Sequence, residues 1–167
     1  MAFPTAGTWT LDTDKTKVSF VVKNFIFKSV PGTFDVASGS ATVGGSADDS
    51  SVAVSISAAS FSTGNEKRDE HVRAADFFDS EQFPTIDFAS TKIVSDGSSA
   101  TVTGDLTVLG SATPVTFELT PINIDGDNAT FSASATINRK AIGVTKMPGL
   151  MIGHDVPVTI TGTATRS

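Results

Sequence analysis

The chain has 167 residues, a formal net charge of −6, twelve phenylalanines, one tryptophan and neither tyrosine nor cysteine. Its length suits a single domain with a hydrophobic core, predicted over residues 1–167, and the lack of cysteine excludes disulfides, thiolate metal sites and a cysteine nucleophile. The acidic excess argues against sequence-independent binding to nucleic acid, which requires a basic surface for the phosphates.

Apolar and polar residues alternate over most of the chain, which is typical of strands with one buried and one solvated face. In chain order, this alternation predicts a short first strand and eight longer ones. The segments are 8–11, 18–27, 33–43, 52–58, 85–94, 101–108, 115–120, 129–138 and 156–161. Turn-forming residues separate them, including Pro31-Gly32, Leu109-Gly110-Ser111 and Asp125-Gly126-Asp127-Asn128.

Eight strands with a single apolar face favour an all-β fold closed into an eight-stranded antiparallel barrel, because closure leaves no unpaired edge. A two-sheet sandwich is the alternative. Nine of the thirty charged residues lie between Glu66 and Glu81. A capping box at Thr63–Glu66 and the helix formers after it predict one short helix, placed as a flap over one end of the barrel.

The interior of an eight-stranded barrel is wide enough either to be filled by side chains or to hold one ligand. Large rings alternating with small residues fit both a solid core and an apolar tunnel. In a tunnel, each buried methylene contributes about 0.8 kcal/mol, so a chain of about ten carbons binds without polar contacts. The candidate lining residues on the strands and beside them are Phe20, Val22, Phe34, Ile56, Phe61, Phe88, Leu106, Phe117, Phe131 and Ala133.

Two connections supply further candidates for the ligand site. The charged helix contributes His71, Phe77 and Phe78, and the long segment 140–155 contributes Ile142, Met147 and Met151. Long loops in compact domains are usually functional or disordered, and methionine adapts to irregular apolar shapes. The alternative is that this segment only caps the barrel.

The sequence predicts no catalytic residue, no metal site and no cofactor. Asp69, Glu70 and His71 are consecutive, so on a helix they point in different directions and do not converge on a metal. No nucleophile elbow, phosphate loop or dinucleotide fingerprint is present. We therefore expect a protein that is not an enzyme; the alternative is an enzyme that acts on a lipid with polar residues at the barrel mouth.

The first residues of the chain lack both the basic start and the apolar core of a signal peptide. No stretch approaches the ~18 apolar residues that a membrane-spanning helix needs. The sequence thus predicts a cytoplasmic protein without an integral membrane segment.

Several ordered blocks of residues resemble one known family. They include Trp9-x-Leu11-Asp12, Ser60-Phe61-x-Thr63-Gly64-Asn65-x-x-Arg68-Asp69-x-His71, Phe83-Pro84-Thr85 and Ile137-Asn138-Arg139. Together they resemble the YceI-like family over nearly the whole chain. The resemblance implies a lipocalin-like barrel with a helical flap and a tunnel for polyisoprenoid chains, isoprenoid quinones or their precursors, or fatty-acid derivatives. It implies a carrier or sequestering role and allows a homodimer.

Overall fold

The computed structural model describes residues 6–24, 28–45, 49–62, 82–95, 99–138 and 155–166. The nine strands are β1 (Gly7–Leu11), β2 (Lys17–Asn24), β3 (Lys28–Val43), β4 (Ser51–Ser57), β5 (Thr85–Ser95), β6 (Ala100–Val108), β7 (Ser111–Asp125), β8 (Asn128–Asn138) and β9 (Asp155–Arg166). One 3-10 turn, Ala58–Ser60, follows β4. The predicted helical flap and the segment 139–154 lie outside the described residues.

The strands form one antiparallel barrel. Consecutive strands from β2 to β9 pair with each other, and β9 also pairs with β2, which closes the barrel. Every pairing is antiparallel, and β1 pairs with both β3 and β9. The predicted barrel is therefore confirmed, and the sandwich alternative is wrong.

Strands β1 and β2 share one of the eight positions around the barrel. Both lie between β3 and β9 and run in the same direction, so they form one strand interrupted at residues 12–16. In this interruption the Asp12 amide donates to the Thr163 carbonyl at 2.8 Å, and the Asp14 amide donates to the Asp12 carboxylate at 3.0 Å. The nine strands thus close an eight-position barrel.

The prediction of a chain reversal at Pro31-Gly32 is wrong. Both residues lie inside β3, where Pro31 is opposite Val21 and Gly32 is opposite Phe20. A Cβ atom on Gly32 would lie 2.3 Å from the ring of Phe20. The glycine therefore makes room for a neighbouring ring, which a sequence pattern does not distinguish from a turn. Tight turns do occur at Leu109–Gly110 and at Gly126, all with positive φ.

The connections divide the barrel into two ends. The loop end carries the connections across 25–27, 61–84, 109–110 and 139–154. The turn end carries the connections across 44–50, 96–99 and 126–127, together with the start of β1 and the end of β9. We use these two names below because the ends differ in their packing.

Among the described residues, no helix has both the length and the apolar character needed to cross a membrane.

Candidate functional site

The apolar character of the barrel interior follows from the alternation of apolar and polar residues along each strand. Along β6, for example, buried Ala100, Val102, Leu106 and Val108 alternate with more exposed threonines and Asp105. Successive side chains of a strand point to opposite faces, so a closed barrel places one set inside and the other in solvent. The interior of this barrel is consequently apolar.

This interior is not completely filled. A cavity of about 110 Å³ lies between the strands, and among the described residues that line it only Ser40 and the indole of Trp9 carry a polar side-chain group. A buried water normally makes two to four hydrogen bonds, which such a lining does not supply. The cavity therefore suits an apolar ligand better than water or a polar ligand.

Six of the predicted ligand-binding residues line this cavity. They are Ile56, Phe88, Leu106, Phe117, Phe131 and Ala133. The rings of Phe88 and Phe117 meet edge to face, with their centroids 5.3 Å apart. This arrangement is a favourable one for aromatic pairs, and it holds the two rings in a fixed position on the cavity wall.

Three other predicted residues do not line the cavity. Phe20, Phe34 and Phe61 pack against one another with ring centroids 5.4 to 5.5 Å apart. We call these three rings the phenylalanine cluster. It lies on β2, on β3 and just after the 3-10 turn, towards the loop end, and each ring is at most 9% exposed. The structure thus brings these residues together as packed core.

The remaining predicted residues are not described by the structure. Val22 lies on β2 opposite Val30, but its side chain is outside the described part. The other six are His71, Phe77, Phe78, Ile142, Met147 and Met151, which all fall in the segments 63–81 and 139–154. Their place in a ligand site stays a prediction.

The structure adds cavity-lining residues that were not among the predicted ligand-binding residues. They are Trp9, Leu11, Ser40, Ala41, Val52, Val54, Val102, Leu119, Ile160 and Ala164. Trp9 and Leu11 come from β1, which is too short to give a clear period, although both alternate with threonine. Most of the others lie in predicted strands, but only the closed barrel shows which of them face the cavity.

Charged groups of the described residues lie on the outside of the barrel. Asp87 accepts hydrogen bonds from Ser55 at 2.6 Å and from Thr85 at 3.0 Å, and Lys17 pairs with the exposed Asp35. None of the described residues that line the cavity is charged. In the described part of the chain, no three histidine or carboxylate side chains are grouped to hold a metal ion.

Comparison with known proteins establishes the family. The model of the YceI-like domain matches residues 9–164. The chain belongs to the YceI-like family. A UPF0312 protein of Pseudomonas putida (strain GB-1) is 34% identical over 140 residues, which cover 79% of this chain and 72% of that protein. A UPF0312 protein of Enterobacter sp. (strain 638) is 35% identical over 136 residues, covering 77% and 70%.

Solved structures share the fold of this YceI-like chain. BcnA of Burkholderia cenocepacia is 30% identical, with a TM-score of 0.81 over 93% of this chain and 99% of that one. A polyisoprenoid-binding domain from Saccharophagus degradans, implicated in plant cell wall breakdown, has a TM-score of 0.76 at 15% identity, over 95% and 98%. The second likeness is one of fold alone.

Proposed function

We propose that this protein binds a long apolar chain inside its barrel and acts as a non-enzymatic carrier or sequestering protein. The proposed ligands are a polyisoprenoid, an isoprenoid quinone or its precursor, or a fatty-acid derivative. The observation that carries the proposal is the apolar cavity inside the barrel, to whose described lining only Ser40 contributes a hydroxyl group. Membership of the YceI-like family and the polyisoprenoid-binding domain of the same fold support it.

The hydrophobic effect supplies enough affinity for such a ligand. Burial of ten methylenes contributes about 8 kcal/mol, at about 0.8 kcal/mol each. Part of this gain offsets the loss of freedom of the chain and the protein on binding. No polar contact is needed to hold the chain, and the head group can remain at the barrel mouth.

The size of the cavity adds a requirement to the proposal. An engineered apolar cavity of 150 Å³ in another protein binds benzene, so about 110 Å³ holds only a segment of a long chain. We propose that a longer ligand extends towards the loop end, where it separates the packed rings of the phenylalanine cluster. Ligand binding then shifts the barrel from a filled to an opened arrangement at that end.

Native mass spectrometry of the protein purified from its own host tests the proposal, followed by titration with prenyl alcohols and fatty acids. Ala133 is 8% exposed and lines the cavity, so Ala133→Phe should fill it and weaken binding at least about tenfold, or ~1.4 kcal/mol. Ala53→Phe is the matched control, because Ala53 is exposed on β4. An empty protein without saturable uptake of any chain would overturn the proposal.

The same experiment separates binding from catalysis. A carrier releases the lipid that it took up, with unchanged mass. A new mass that depends on the protein would instead support an enzyme acting on the lipid. The cytoplasmic location and the homodimer remain predictions of the sequence.

A further inference from the structure

We propose that Trp9 is the end stop of the cavity and sets the longest chain that the barrel accepts from the loop end. This inference rests on the proposed function, because it concerns how the same cavity selects among apolar chains.

Trp9 lies where the cavity lining meets the buried residues of the turn end. The side chain is 3% exposed, lines the cavity and belongs to a small cluster with Val43, Ala129 and Ala164. Val43 and Ala129 belong to that cluster but do not line the cavity. Val43 ends β3 and Ala129 follows the β7–β8 turn, so both lie at the turn end. The indole therefore separates the cavity from the last buried residues of this end.

Of the larger described residues that pack in the cluster of Trp9, Val43 and Ile124 do not line the cavity, and only Leu11 does. Ala41 is its direct neighbour on β3, and Ala129 and Ala164 pack in the same cluster. Alanine side chains cannot move into space left by a larger residue, and the surroundings of a truncated core residue relax only partially. Removing the indole should therefore lengthen the cavity at the turn end.

The position of Trp9 is held from both sides. Trp9 is opposite Ala41 on β3 and opposite Arg166 on β9. The Arg166 guanidinium donates to the Asp127 carboxylate from Nε at 2.8 Å and from Nη2 at 2.6 Å, and to the Ala6 carbonyl at 3.1 Å. Arg166 thus ties the residue preceding β1 to the β7–β8 turn. A rigid ring on a fixed strand limits chain length sharply.

The unmodified protein offers a direct test, since Trp9 is its only tryptophan and it has no tyrosine. Trp9 therefore dominates the fluorescence excited at the red edge of indole absorption. We expect ω-bromododecanoic acid, with bromine at the end of the chain, to quench this emission strongly, and its α-bromo isomer to quench it weakly. Equal quenching by two bound isomers would overturn the end stop. Failure of both acids to bind saturably would instead contradict the proposed function.

A series of unbranched fatty alcohols tests the limit itself. With the native protein, affinity should rise roughly fourfold for each added carbon until the chain reaches Trp9, and then level off. In Trp9→Leu, affinity should continue to rise for about two more carbons before it levels off. In Trp9→Phe, the limiting chain length should be intermediate, and the packing should be closer to that of the native protein. Val43→Ala is the control, because Val43 lies beyond the stop and does not line the cavity. An unchanged limit in folded Trp9→Leu and Trp9→Phe would overturn the inference.

Discussion

The phenylalanine cluster and the cavity are built from the same kinds of side chain but are packed differently. In the cluster, Phe20 contacts both Phe34 and Phe61. In the cavity, Phe88 and Phe117 contact each other and also face unfilled space. Both regions contain large rings, so the number of rings does not decide whether a barrel is solid or hollow.

The positions of the small residues account for the difference. Gly32 lies under the ring of Phe20, which occupies the space that a side chain would have taken. Gly39 is covered in the same way by Leu11. By contrast, Ala41, Ala133 and Ala164 all line the cavity, so the side chains of the described residues leave space in front of them. Small residues therefore create a cavity only where no large neighbour extends over them.

The largest expected effect comes from removing a ring of the phenylalanine cluster. Phe20→Ala should lower the free energy of unfolding by about 4 kcal/mol, because a closely packed ring leaves a void. Phe88→Ala should cost closer to 3 kcal/mol, since Phe88 is equally buried but already borders a cavity. Urea denaturation measures both values. Equal losses would mean that the two regions are packed to the same density.

A substitution at Gly32 tests the contact that fills the cluster. Gly32→Ala places a methyl group 2.3 Å from the present position of the Phe20 ring, so we expect a loss of about 1–3 kcal/mol from overpacking. Gly45→Ala serves as the control, because nothing lies within 4 Å of its Cβ position. Thermal unfolding of the two variants gives the comparison. Similar melting temperatures would contradict the role assigned to Gly32.

A substitution that fills the cavity should raise the free energy of unfolding, whereas the two preceding substitutions should lower it. Ala41→Val is expected to raise the free energy of unfolding by about 0.5–1 kcal/mol, since it adds apolar contacts in unfilled space. The same variant should bind apolar chains more weakly. Ala53→Val, on the exposed face of β4, separates the intrinsic strand preference of valine from cavity filling. Unchanged ligand affinity in Ala41→Val would show that Ala41 does not border the bound chain.

The smallest expected change in stability concerns β1, the strand that contains Trp9. Arg166→Gln should lower the overall stability by less than about 1 kcal/mol, because the Arg166–Asp127 pair is partly exposed. Hydrogen exchange of the β1 amides should nevertheless become faster, since local opening requires less free energy. Lys17→Gln is the control, because the Lys17–Asp35 pair joins β2 to β3. Unchanged β1 exchange would mean that strand pairing alone holds Trp9.

Most strands were predictable because alternation is a local property. The predicted segment 129–138 matches β8 to within one residue, and 85–94 matches β5 equally well. Pro31-Gly32 was predicted wrongly because proline and glycine also occur where an adjacent strand needs space.

Of the predicted site, Phe88 and Phe117 border the cavity, whereas Phe20 and Phe34 pack in the cluster. Their sequence patterns are alike.

The sequence by itself determined most of the strands and, through its motifs, the family, and it favoured a closed antiparallel barrel with an apolar interior. Only the tertiary structure decided where the interior stays empty. A bulge after Val36 shifts the register of β3, so that the partly buried Ala41 and the buried Val43 pack inward while Ser40 is exposed. Closure then brings β1 and β9 beside β3, which places Trp9 next to Ala41. A cavity depends on how side chains from strands far apart in the sequence pack against one another. The alternation of apolar and polar residues within one strand does not determine that packing.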